Sequence, residues 1–323
     1  MERPPPLARP ADARGIDGVW LRKLAHLGSV YAPEWFKRSS PPVIAAASFA
    51  LVAERRRAAV SNLQRVLGAD GWTAHWAALR MFAEFAFCTS EAMERSSSRP
   101  KPVEVERPRE DAVLTALDAG RGVVVVTGHI GSWDIAAKTL HDAKYRVHVV
   151  MSREADAATQ EFVETARARA GLQVVFSDAS AFSSLQLIRA LRRNEIVAIQ
   201  LDRAGGAGGV RWLPFLGAPA PFPSGPFVLA RLAGSPVIPV FAPRLGRRHY
   251  RLHIGRPVSV PRAAREPRVL DRVMLEVVAQ LEEIVRRHPW QWFQFAPFWP
   301  EPTAALTCGE DAEPVAASRL GVE

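Results

Sequence analysis

Apolar and polar positions follow two alternating periodicities along the central part of the chain. Short runs rich in β-branched residues predict buried strands, and stretches with apolar positions every three to four residues predict helices between them. The predicted strands cover residues 123–126, 145–151, 172–176 and 196–201, and the predicted helices cover 111–119, 135–141, 155–170 and 180–193. Because strands and helices alternate with short links, we expect an α/β fold with a largely parallel central sheet covered by helices.

The same patterns outline the rest of the chain. Further strands are predicted at 236–241 and 249–254, and a long helix is predicted near 269–287. Residues 1–18 are rich in Pro and Arg and residues 301–323 lack periodicity, so we expect a disordered N-terminus and a flexible C-terminal tail. The sequence therefore predicts one domain over residues 19–300.

Residues 19–95 are predicted to be helical and carry aromatic residues next to Arg and Lys, such as Trp20, Trp35 and Phe36. This pattern is typical of an interfacial helix that lies on anionic lipid. An amphipathic helix packed on its own core, with solvated Arg on the other side, gives the same pattern. The longest apolar run here, residues 43–53, is too short to span a bilayer, so we expect peripheral or monotopic contact with a membrane.

The formal net charge of +9 favours an anionic partner, such as an anionic membrane, an acidic protein or a nucleic acid. The sequence shows no RNP-type aromatic strand, zinc-finger spacing or heptad-linked basic region, so we expect no nucleic-acid partner. Cys88 and Cys308 are far apart, and such sparse cysteine fits a reducing cytoplasm. The N-terminus also lacks the apolar core of a signal peptide.

The strand at 123–126 leads into a turn that carries candidate chemistry, Gly128-His-Ile-Gly-Ser-Trp-Asp134. On a regular helix His129 and Asp134 would lie about 140° apart around the axis, so they can meet only if His129 precedes the helix. Ser132 is a plausible N-cap, which places Asp134 in the first helical turn. A carboxylate that holds a histidine is the arrangement that a general base needs.

Other polar residues follow the carboxyl ends of the predicted strands, where ligands collect in parallel sheets. Arg153 follows one strand, and Asp202 and Arg203 follow another. Phe222, Pro223, Ser224 and Gly225 precede a short apolar helix that begins with Pro226, whose first turn could face an anion. We therefore list these seven residues as candidates for substrate binding. We expect no metal site and no bound cofactor, and we interpret the glycine-rich segment 205–209 as a mobile loop that could cover the site.

Four blocks in this order resemble the glycerolipid and lipid A acyltransferase superfamily. They are the His-x4-Asp block at His129 and Asp134, Leu201-Asp-Arg203, Phe222-Pro-Ser-Gly225 and Ser235-Pro-Val-Ile-Pro-Val-Phe241. Ser61-Asn-Leu-Gln64 and His288-Pro-Trp-Gln-Trp-Phe293 are similar to the bacterial lipid A late acyltransferase branch, which transfers lauroyl or myristoyl groups. The resemblance covers about residues 19–299.

This resemblance implies an O-acyltransferase that takes a fatty acyl chain from a thioester on acyl carrier protein or coenzyme A. The acceptor would be a lipid hydroxyl, His129 the general base and Asp134 the residue that holds its imidazole. Arg153 and Arg203 would hold phosphate or carboxylate, and the enzyme would work at the cytoplasmic face of the bacterial inner membrane. Trp290 stands where the lipid A branch usually has Glu, so a lysophospholipid or another glycolipid stays open as acceptor.

Two alternatives remain from the sequence. A thioesterase or lipid hydrolase could use the same His-Asp pair on water. A non-catalytic basic protein that binds anionic membranes explains the charge and the N-terminal pattern, but it does not explain the order of the blocks.

Overall fold

The computed structural model describes residues 19–299, apart from 96, 99, 108–110, 143–144, 154–156, 170, 178–180 and 204–208. The predicted disordered N-terminus, the predicted C-terminal tail and most of the glycine-rich segment 205–209 lie outside the described residues. The ten α-helices of the described part are α1 (Val19–Tyr31), α2 (Glu34–Leu51), α3 (Ala53–Leu67), α4 (Gly71–Arg95), α5 (Asp111–Asp118), α6 (Trp133–Asp142), α7 (Ala157–Arg169), α8 (Ala181–Arg192), α9 (Gly225–Ala233) and α10 (Pro267–Arg287). Short 3₁₀ helices cover Arg262–Arg265 and Pro289–Gln291.

Eleven strands are formed within the same residues. They are β1 (Glu104–Glu106), β2 (Val123–Thr127), β3 (Val147–Met151), β4 (Gln173–Phe176), β5 (Ile196–Gln200), β6 (Val210–Phe215), β7 (Ala218–Pro223), β8 (Val237–Phe241), β9 (Arg244–Gly246), β10 (His249–Arg251) and β11 (His253–Ile254).

Six strands form the central sheet in the order β11-β8-β2-β5-β3-β4. All neighbours are parallel except the edge strand β11, which runs antiparallel to β8. The expectation of a largely parallel sheet is therefore confirmed for this part of the fold. Strand β2 is buried along its whole length because helices cover both faces of the sheet.

Two apolar layers enclose the sheet. Helices α8, α9 and α10 pack on one face with Val124, Val126 and Val197. Helices α5 and α6 pack on the other face with Val123 and Val125. Alternate residues of β2 point to opposite faces, so a continuous β-branched run supplies both layers.

The N-terminal helices form a third cluster beside the sheet. Residues from α2, α3 and α4 pack with Ile135, Tyr250 and Phe293. The stretch 19–95, predicted to be helical, forms four separate helices, and Gly68 adopts a left-handed conformation (φ 57°) that ends α3. Helix α2 includes Pro41 and Pro42 in its interior, and Pro41 is buried. None of the described helices is long and apolar enough to cross a bilayer.

Two smaller sheets were not predicted. Strands β6 and β7 form an antiparallel hairpin that contains four prolines in its paired positions, including Pro214 opposite Pro219. The predicted strand 249–254 is divided, because β10 joins a sheet in the order β1-β10-β9 whereas β11 joins the central sheet.

Candidate active site

The turn after β2 is held in a narrow space. Gly131 has φ 60°, and a Cβ atom there would lie 1.9 Å from the carbonyl oxygen of Ala242. Ser132 N donates to that same oxygen at 3.0 Å, and Gly131 N donates to the carbonyl of Gln291 at 3.1 Å. A glycine is therefore required, because any side chain would separate the turn from these partners.

His129 and Asp202 are brought together by the register of neighbouring strands. Thr127 pairs with Gln200, so the residues just beyond the carboxyl ends of β2 and β5 face each other. Nδ1 of His129 lies 2.7 Å from Oδ1 of Asp202, and the backbone N–H of His129 donates to Oδ2 at 2.8 Å. The histidine is thus fixed to one carboxylate through both its side chain and its backbone.

Asp202 is completely buried and accepts further hydrogen bonds. Trp292 Nε1 and Gln294 Nε2 both donate to Oδ2 at 2.9 Å. Burial alone raises the pKa of the Asp202 carboxyl, but the positive charge of His129 and the hydrogen bonds from His129 and Trp292 outweigh it and lower the pKa to about 2. The carboxylate is therefore ionised at neutral pH.

An ionised carboxylate on Nδ1 favours the tautomer that carries its proton on that nitrogen. Nε2 of His129 then holds a free electron pair, and it has no hydrogen-bond partner among the described residues. The His129 side chain keeps 12% of its surface exposed. The arrangement can accept a proton from a group that approaches Nε2.

Asp134 lies in the first turn of α6, as predicted, and Ser132 caps this helix by accepting from Ile135 N at 3.4 Å. Its carboxylate, however, faces α7, where Oδ1 lies 3.6 Å from Nε of Arg167. The Arg167 guanidinium also stacks 4.5 Å from the ring centre of Trp133. Among the described contacts Asp134 makes none with His129, so its expected part as the imidazole partner stays a prediction.

The remaining predicted site residues divide into exposed and buried groups. Arg203 is exposed next to Asp202, and Arg153 is exposed with its guanidinium 4.4 Å from the ring centre of Phe176. Phe222 is completely buried, and its ring packs 5.4 Å from that of Phe215. Its side chain belongs to the core, so a role in substrate binding would be indirect.

The other three residues of that block form the turn between β7 and α9. Pro223 ends β7, and Gly225 begins α9 with Pro226 next to it. Ser224 is buried, and its Oγ donates to the carbonyl of Gly209 at 3.2 Å. These residues connect the β6–β7 hairpin to α9, which packs on one face of the central sheet.

Sequence patterns did not assign Trp292 and Gln294 to the site. Trp292 belongs to the segment His288–Phe293 that resembles the lipid A branch, which was the one available signal, and Gln294 follows that segment directly. The structure places this segment directly over the histidine, because Phe293 N donates to the carbonyl of His129 at 2.7 Å. Within the described residues, no group of three or more His, Cys, Asp or Glu side chains could hold a metal ion.

The fold and the site together define an α/β protein with a carboxylate-held histidine at the carboxyl edge of a parallel sheet. The family model described as bacterial lipid A biosynthesis acyltransferase matches residues 15–300, and the chain belongs to this family. It is thus an acyltransferase of the lipid A type, which implies an acyl donor and a lipid acceptor. Among curated proteins, none matches the chain.

Proposed function

We propose that the protein transfers a fatty acyl chain from a thioester, on acyl carrier protein or coenzyme A, to a hydroxyl of a lipid acceptor. One observation carries this proposal: Asp202 occupies Nδ1 of His129 at 2.7 Å and leaves Nε2 open. A histidine held in this way is suited to remove a proton from a hydroxyl. No covalent enzyme intermediate is needed, because the acceptor oxygen itself is the nucleophile.

The reaction proceeds in two proton transfers through the same nitrogen. Nε2 takes the hydroxyl proton as the acceptor oxygen forms a bond to the thioester carbonyl carbon. The resulting oxyanion then collapses, the carbon–sulfur bond breaks, and the departing sulfur receives the proton from Nε2. Asp202 stabilises the imidazolium between these two steps because its buried negative charge lies 2.7 Å away.

Asp134 and the two exposed arginines complete the proposal. Asp134 stays a second candidate for orienting His129, and its present ion pair with Arg167 would have to open for that contact. Arg203 follows Asp202 directly, and its side chain is exposed. Arg203 and Arg153 are proposed to hold phosphate or carboxylate groups of the acceptor or the donor.

Peripheral binding to the cytoplasmic face of the inner membrane is part of the same proposal. The supporting observation is a set of large apolar side chains that are exposed on α1–α4, here called the N-terminal apolar residues. They are Leu24, Leu27, Tyr31, Trp35, Phe36, Val43, Ile44, Leu51, Trp72, Trp76 and Phe85. Arg and Lys residues of the same helices would contact anionic headgroups, and Trp is favoured at membrane interfaces.

Lipid mass spectrometry of cells tests the proposal and identifies the acceptor. Cells that lack the gene are compared with cells complemented by the wild type or by His129→Ala. We expect one lipid class to lose one acyl chain on deletion and to regain it only with the wild type. A lipid A-like molecule, a lysophospholipid or another glycolipid would each appear by its mass. Restoration by His129→Ala would overturn the proposed role of His129.

A further inference from the structure

The segment Gln291-Trp-Phe-Gln-Phe-Ala-Pro-Phe298, here called the strap, crosses directly over the candidate base. Trp292 forms an antiparallel bridge with Ile130, the residue after His129. Phe293 N donates to the carbonyl of His129 at 2.7 Å. The strap therefore shares a short β-type contact with the turn that carries the histidine.

Two side chains of the strap hold Asp202 through Oδ2, the oxygen that also accepts from the backbone N–H of His129. Trp292 Nε1 donates to Oδ2, and Gln294 Nε2 donates to both Oδ2 and the backbone carbonyl of Asp202, each at 2.9 Å. Both donors are neutral, so they restrain the carboxylate without adding a net charge. Only 1% of Trp292 and 4% of Gln294 is exposed, which leaves neither side chain accessible to a substrate.

A single buried amide connects the strap to the N-terminal helices. Asn62 of α3 donates to the carbonyls of Gln294 at 3.1 Å and Ala296 at 2.8 Å, and its Oδ1 accepts from Phe298 N at 3.1 Å. Both ends of the amide are thus used on backbone groups more than 230 positions away along the chain. Breaking these bonds would leave buried polar groups unpaired.

We propose that Trp292, Gln294 and Asn62 are positioning residues of the acyl transfer reaction. Trp292 and Gln294 fix the orientation of Asp202, which fixes the His129 ring, and Asn62 fixes the strap that carries both donors. This inference rests on the proposed function of His129. It adds that helix α3 is connected to the candidate base His129 through one chain of hydrogen bonds, Asn62–strap–Asp202–His129.

Trp292→Phe tests the first connection because it removes the indole N–H and keeps an aromatic ring. Trp299→Phe is the matched control: Trp299 lies in the same aromatic cluster, 5.9 Å from Trp292 between ring centres, but its Nε1 has no hydrogen-bond partner within the described residues. We expect Trp292→Phe to lower kcat about tenfold to a hundredfold, with KM unchanged, because the base is misplaced but substrate contacts remain. Trp299→Phe should keep kcat near that of the wild type.

The pH dependence of kcat separates positioning from a merely structural role. Loss of the Trp292 donor removes one hydrogen bond that stabilises the Asp202 carboxylate, so the same negative charge interacts more strongly with a protonated imidazole. The acidic limb of the kcat profile should therefore move to higher pH in Trp292→Phe and stay in place in Trp299→Phe. Lower thermal stability with an unchanged profile and unchanged kcat would overturn the proposal.

Asn62→Leu tests the second connection. If Asn62 acts through Trp292, the double variant with Trp292→Phe loses less than the product of the two single losses in kcat. Multiplicative losses would show that Asn62 acts independently and would overturn this part.

Imidazole NMR distinguishes failure of the strap from failure of the proposed function. The Nδ1–H proton of His129, hydrogen-bonded to Asp202, should be observed in the wild type and in Trp299→Phe and should shift in Trp292→Phe. This readout needs no activity. An unchanged signal overturns the strap proposal, whereas a shifted signal in a protein without acyl transfer refutes the proposed function alone.

Discussion

Nδ1 of His129 lies 2.7 Å from Oδ1 of Asp202, although the two residues are 73 positions apart in the chain. The contact follows from strand register, because β2 and β5 are parallel neighbours that end at the same edge of the sheet. The nearer carboxylate in sequence, Asp134, is paired with Arg167 instead. Spacing along the sequence therefore suggests Asp134 as the partner of His129, whereas the fold places Asp202 there.

Substitution of each carboxylate by its amide ranks the two partners. Asp202→Asn should lower kcat about a hundredfold or more, because an amide cannot stabilise the imidazolium and can select the wrong tautomer. Asp134→Asn should lower kcat by less than about tenfold, since its side chain is 36% exposed and contacts Arg167. Steady-state rates with a saturating acyl thioester measure both. The reverse ranking would support Asp134 as the imidazole partner.

The lowered pKa of Asp202 makes the stability of the protein depend on acidic pH. Because the pKa is about 2 in the folded protein and near 4 in an unfolded chain, this contribution is complete above about pH 4 and disappears as the pH falls through about 2. The fully buried group should contribute about 3 kcal/mol to the free energy of unfolding. Urea unfolding between pH 4 and pH 2 should show a steeper loss for the wild type than for Asp202→Asn. Parallel pH dependence of the two proteins would refute the lowered pKa.

The N-terminal apolar residues should determine binding to anionic membranes. Trp72 and Trp76, which are 76% and 64% exposed, lie one helical turn apart on α4. Replacement of Trp72 by Glu should weaken partitioning onto phosphatidylglycerol-containing vesicles about tenfold or more, because apolar burial is lost and one negative charge is added. Sedimentation with vesicles measures the change.

Phe182→Glu is the matched control for vesicle binding. Phe182 is 84% exposed on α8, a helix that packs on the sheet face opposite α6. Its replacement should leave partitioning unchanged. Equal weakening of vesicle binding in both variants would mean that the added negative charge, and not the loss of one of the N-terminal apolar residues, controls binding.

A buried network of ion pairs connects helices α2 and α4 to the turn between β9 and β10 in the three-stranded sheet. Glu94 is 4% exposed and pairs with Lys37 at 2.7 Å and with Arg248 at 2.7 Å. Glu94→Gln leaves Lys37 buried without its carboxylate and should lower the free energy of unfolding by about 3 kcal/mol. Glu283→Gln breaks an exposed pair on α10 and should change it by less than about 0.5 kcal/mol. Guanidinium unfolding measures both, and equal effects would contradict the importance of burial.

The sequence predicted the elements whose pattern is local. The run of valines at β2 and the alternation of strands and helices up to β5 are sufficient to indicate a parallel sheet. The rule that ligands collect at the carboxyl ends of parallel strands placed His129 and Asp202 at the same edge of the sheet, where the structure also has them. Strand β2 is predicted within one residue of its observed end at Thr127. The capping role of Ser132 also follows from local chemistry.

The parts that sequence reasoning missed depend on long-range contacts. The β6–β7 hairpin was not predicted because prolines normally argue against paired strands. The contact between Asp202 and His129 depends on strand order, which a spacing between residues cannot reveal. The strap could not be placed either, since its three connections to Asn62 join residues at opposite ends of the domain.

The rate of acyl transfer by purified wild type and His129→Gln tests the central claim most directly. Both proteins are incubated with an acyl thioester, with and without a lipid extract, and the acyl ester and free fatty acid are quantified. We predict that the wild type forms an acyl ester that depends on the added lipid, and that His129→Gln is slower by about a hundredfold or more. Ester formation by His129→Gln at the wild-type rate, or thioester hydrolysis by the wild type that added lipid does not affect, would contradict this account.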